Sequence, residues 1–110
     1  MYIYNVTINV EETIHDQWLN WMKEKHIPAM LSTGKFNKAK LCQVMVEEEM
    51  GGTTYAVQYT TDSIETLREY YSEQASSLNA KILHLFKDKF ISFSTELKVI
   101  NEQFSVSAKN

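Results

Sequence analysis

One cysteine, one proline and three glycines in 110 residues leave the chain few means to staple or bend itself. The lone Cys42 excludes an intrachain disulfide and gives no support to an oxidising compartment. No stretch approaches the roughly 20 apolar residues that a bilayer span requires. The opening Met1-Tyr2-Ile3-Tyr4-Asn5 has no basic, apolar and small-residue leader pattern, so a cytoplasmic protein without membrane contact is expected. A formal net charge of −3 lacks the cationic excess that displaces counterions from phosphates, and no nucleic-acid partner is expected. The small cluster of Lys35, Lys38 and Lys40 reads as an anti-aggregation guard on a strand end. Also missing are a Gly-rich phosphate loop, a Gly-x-Ser-x-Gly elbow, a His-Glu-x-x-His pair and a Cys-x-x-Cys pair. No metal and no cofactor is therefore expected.

What the chain does have is bulk. Six Tyr, five Phe and two Trp supply apolar surface for a real core, and the length suits one core but not two. Residues 1–100 are expected to form a single domain, with residues 101–110, where the pattern fades into a polar stretch, as a loose tail.

Hydrophobic period places the elements. Tyr2, Tyr4, Val6, Ile8 and Val10 alternate with polar residues as a half-buried strand does. From Thr13 the period lengthens, and Ile14, Trp18, Trp21 and Met22 share one helical face. Pro28 predicts a stop or kink near His26, with a further short turn of helix through Met30 and Leu31 capped by a left-handed Gly34. A second strand is expected over residues 36–47, with Cys42 turned inward as a small hydrophobe. Glu48-Glu49-Met50-Gly51-Gly52 reads as a hairpin turn into a third strand over residues 53–61. Asp62 or Ser63 then caps one long helix whose stripe runs Ile64, Leu67, Tyr71, Ala75, Leu78, Ile82 and Leu85. His84 falls opposite that stripe, in solvent. Residues 90–100 form the last strand, with Ile91, Phe93, Leu97 and Val99 expected to face the core and the serines to face out.

The order strand, helix, strand, strand, helix, strand predicts an α+β, ferredoxin-like fold with both helices on one side of a four-stranded antiparallel sheet. The uncovered face would carry Asn5, Thr7, Leu41, Gln43, Met45, Gln58, Ser92 and Ser94. That mixture suits a sheet packed on its twin around a partly wet cavity, so a homodimer through the sheet face is expected.

Particular segments carry a resemblance as well. Tyr4-Asn5-Val6-Thr7, Trp18-Leu19-Asn20-Trp21-Met22 followed by His26-Ile27-Pro28, Gly34 with Phe36, Tyr55-Ala56-Val57-Gln58-Tyr59, and Asp88-Lys89-Phe90 ahead of Thr95-Glu96-Leu97 resemble an uncharacterised bacterial domain-of-unknown-function family. That family is similar to the dimeric α+β barrel group, and the resemblance spans residues 2–100. It implies a homodimer but no activity. The wider group includes cofactor-independent monooxygenases, haem-degrading enzymes and small isomerases, whose catalytic residues differ from family to family, so none is carried over.

His26 is the candidate catalytic residue, because imidazole titrates near neutrality and this one flanks a Pro-broken helix end. A histidine there also caps carbonyls without any chemistry. His15 cannot join it on one metal ion, since eleven residues at 1.5 Å rise set the two roughly 16 Å apart. Asn5, Thr7, Gln43, Gln58 and Ser92 are the candidate ligand-binding residues, with trapped water as their competing partner. The functional expectation is a small homodimer that binds a small, partly apolar molecule between its sheets. The alternatives are a monooxygenase- or isomerase-like enzyme without cofactor, and a structural or protein-interaction module.

Overall fold

The computed structural model describes residues 1–47 and 51–106. Strands β1 (Tyr2–Val10), β2 (Lys38–Gln43), β3 (Thr53–Thr61) and β4 (Phe90–Lys98) form one antiparallel sheet in the order β2-β3-β1-β4. Helices α1 (His15–Trp21) and α2 (Ile27–Ser32) connect β1 to β2, and α3 (Ile64–Glu73) and α4 (Ala75–Phe86) connect β3 to β4. This is the expected α+β, ferredoxin-like arrangement. The core lies between sheet and helices. Tyr4, Ile8 and Val10 of β1 and Tyr55, Val57 and Tyr59 of β3 are buried beneath Trp18, Met22, Met30, Leu67, Tyr70, Leu78 and Phe86. Burying each such side chain contributes about 1.5–3 kcal/mol. Among the described residues no helix is long and apolar enough to cross a membrane.

Both helical segments depart from straight rods. The expected stop near His26 is a π turn over Met22–His26, in which the Ile27 amide donates to Met22 O, five residues back. Pro28 then falls in the first turn of α2, where a missing N–H disturbs little. The expected single helix after Ser63 bends at Gln74, whose φ of −122° is outside the helical well. Each half has its own buried face, so Tyr70 and Phe86 are buried where a straight wheel puts Tyr71 and Leu85. Ser63 caps α3 as expected, its hydroxyl accepting from the Thr66 amide at 3.1 Å.

Two strands carry their faces the other way round from expectation. In β4, Ser92 is opposite Ile8 and Ser94 opposite Val6, so the serines are on the helix side. Ile91, Phe93 and Leu97 point outward, 76, 63 and 39% exposed. In β2, Leu41 is opposite the buried Val57, and Cys42, opposite Ala56, is exposed on the outer face instead of buried. Alternation separates two faces but does not say which is inside; register against β1 and β3 does. Strand β2 is shorter than expected, and Lys38 and Lys40 line this exposed edge.

Gly34 is left-handed as expected, at φ +77°, and Gly51 and Gly52 take φ +82° and +78° before β3. The remainder of the expected hairpin turn, residues 48–50, lies outside the described residues, as do residues 107–110 of the expected tail. Residues 99–105 form no helix or strand.

Candidate functional site

The π turn ends at His26, and the wider backbone there aims the imidazole inward, against the sheet side of the helices. His26 is 6% exposed and lines a pocket of about 280 Å³ between the helices and the β1–β4 side of the sheet. Exposed lining residues mark the mouth: Ser92, Phe93 and Ser94 on β4, with Asn79 and Leu83 on α4. The deep end is formed by the buried Met22, His26, Met30, Val57, Tyr59 and Tyr70.

Among the described residues no group hydrogen-bonds the His26 imidazole. Its contacts are ring contacts and electrostatic: Trp21 stacks on it with centroids 5.0 Å apart. Burial, and secondarily the Lys81 ammonium, push its pKa down from 6.5 to about 4. At neutral pH it is therefore an uncharged imidazole with one N–H and one bare nitrogen lone pair.

Tyrosines supply most of the remaining polarity. Tyr4, Tyr59 and Tyr70 pack together, with Tyr4–Tyr59 and Tyr4–Tyr70 centroids 6.1 and 5.6 Å apart. Burial, first of all, raises the pKa of each of the three hydroxyls, so they are neutral donors. Tyr70 donates to Met30 Sδ at 3.3 Å. Sequence reasoning missed these tyrosines, Ser94 and Asn79 as pocket residues. The pair Ser92 and Ser94, hydroxyls two apart on a strand, signals a polar strand face, and register against β1 turns that face toward the helices and not, as expected, outward.

The expected ligand-binding residues divide between the two faces. Asn5 and Gln58 are opposite one another on the outer face, with Thr7 beside them. Asn5 Nδ2 donates to Thr7 Oγ1 at 3.3 Å, and the buried Asn5 Oδ1 takes no partner among the described residues. Gln43 is on the helix side of β2, opposite Tyr55, and Ser92 lines the pocket. His26 thus meets Ser92 in one pocket and none of the others.

His15 turns elsewhere: Nε2 is 2.6 Å from the Tyr55 hydroxyl and Nδ1 2.9 Å from Asp16 Oδ1. His84 is exposed. Among the described residues no three His, Cys, Asp or Glu side chains cluster closely enough to hold a metal ion.

A family model described as a domain of unknown function (DUF4286) matches residues 1–100. No curated protein matches the sequence. Among solved structures the chain is similar to a dimeric ferredoxin-like protein from an uncultured marine organism, with a TM-score of 0.69 and 12% identity over 93% of this chain and 97% of that one. It is similar also to the haem-degrader MhuD of Mycobacterium tuberculosis, solved with two haems in its active site, at 0.66 and 13% over 94% and 100%. An ethyl tert-butyl ether d (ethd) family protein of Bacillus halodurans is similar at 0.62 and 10%, over 86% and 97%. At such identities the likeness is one of fold.

Proposed function

The chain belongs to the domain-of-unknown-function family DUF4286, and we propose that it is a cytoplasmic homodimer whose protomers each bind a small, partly apolar molecule between sheet and helices. The observation that carries this reading is His26, its imidazole buried at the deep end of a pocket with no hydrogen-bond partner among the described residues. Its ring lines the open pocket, where an occupant with a matching polar group can take the place of solvent. Beside the expected binding space between two sheets, one protomer has a pocket of its own, with walls on both sides.

Pairing through the outer face follows from the exposed stripe of Ile91, Phe93 and Leu97, and a similar fold occurs in a protein described as dimeric. Asn5, Thr7 and Gln58 would then meet the partner sheet. Their role is to satisfy polar groups across the interface, starting with Asn5 Oδ1.

Size limits the occupant. At about 30 Å³ per water, 280 Å³ corresponds to roughly nine waters, or a molecule of about ten non-hydrogen atoms. The enzyme reading, with His26 as acid or base, rests on the same neutral imidazole. A base whose pKa is about 4 takes up protons poorly at neutral pH, so binding is the stronger reading.

A ligand-observed NMR screen of small fragments tests it. Hits are expected with the wild type and should be lost in Ser92→Trp, which blocks the mouth at an exposed strand position. An absence of hits, or hits indifferent to Ser92→Trp in a variant with unchanged circular dichroism, overturns the reading.

A further inference from the structure

The chemistry of the pocket walls narrows the occupant's class. Among the described residues that line it there is no Asp, Glu, Lys or Arg, so a charged group at the deep end would surrender its hydration without a counter-charge. The polar groups present are not equivalent. The hydroxyls of Tyr4, Ser92 and Ser94 and the amide of Asn79 each donate and accept, and can satisfy one another or water. Of the two nitrogens of a neutral His26 ring, the bare one can only accept and the N–H only donate, and no side chain among the described residues pairs with either. The rings of Tyr4, Tyr59 and Tyr70 line the same pocket, in a slot bounded by a sheet on one side and helices on the other. A flat apolar body fits that slot.

From this we infer that the pocket takes an uncharged ring compound carrying a single hydrogen-bond donor, of which a phenol is the simplest chemistry, with the donor on His26 and the ring among Tyr4, Tyr59 and Tyr70. The inference rests on the binding reading above and adds the occupant's charge and hydrogen-bonding sense.

Three probes separate the possibilities: 4-propylphenol, its isomer 4-ethylanisole, which has no donor, and 4-ethylbenzoate, which is an anion. Each is titrated into the full chain at neutral pH, followed by backbone amide shifts and the ¹⁵N shifts of the His26 ring. The phenol is expected to bind at least about tenfold more tightly than the anisole, the loss expected when a buried acceptor is left unpaired. Only the phenol should move the His26 ring nitrogens, and the benzoate should not bind. His26→Phe should keep anisole binding and erase the preference; if that variant does not fold, the wild-type ring shifts decide alone. Equal affinities for phenol and anisole, or a preference for the benzoate, overturn the donor inference while pocket binding stands. Failure of all three, with fragment hits also absent, overturns both.

Discussion

The indole of Trp21 lies nearly flat on the imidazole of His26, with ring centroids 5.0 Å apart and planes inclined by 24°. Phe86 meets the same indole edge-on at 5.4 Å and 70°, so the half-buried Trp21 is clamped between the π turn and the end of α4. This ring covers one face of the imidazole, while the residue also lines the pocket. An imidazolium there would have no hydrogen-bond acceptor among the described residues and would face Lys81, a like charge on α4.

Stability should therefore fall on acidification through a defined window. The folded pKa of His26, about 4, is below its ordinary 6.5, so between those values the unfolded chain binds the extra proton. The contribution is fully present above pH 6.5 and lost as pH falls through 4, amounting to about 3 kcal/mol. Urea unfolding of wild type and His26→Phe across this window measures it. The wild type should lose that much more than the variant, and parallel pH curves would refute the assignment.

Two glycines with nearly the same φ should respond differently to a methyl group. Gly34 and Gly52 sit at +77° and +78°, but a Cβ on Gly34 meets open space, whereas one on Gly52 falls 2.7 Å from Val10 O and 2.9 Å from Asn9 Oδ1. Gly34→Ala should cost about 1 kcal/mol, for the left-handed backbone alone. Gly52→Ala should cost about 2–3 kcal/mol, since the end of β1 must also shift. Equal midpoints in urea would show that the Gly52 contact relaxes freely.

Charging the outer stripe should separate the protomers. Phe93→Glu together with Ile91→Lys replaces two outward apolar side chains, 63 and 76% exposed in the single chain. Light scattering after size exclusion should give a dimer for wild type and a monomer for the double variant. A wild type that remains monomeric at high concentration would remove the pairing.

The kind and order of the elements were legible in the residues, because period and capping are local properties. The alternation in Tyr2–Val10, the helical spacing of Trp18 and Met22 and the Ser63 cap need only near neighbours to be recognised. What the tertiary structure alone decided was direction. Ile91, Phe93 and Leu97 had to lie opposite Ser92 and Ser94, but pairing with β1 turned the serines inward, and the π turn before Pro28 brought His26 above them. A pocket forms where distant segments meet, so its polarity is set by strand register and helix phase, neither of which a single segment contains.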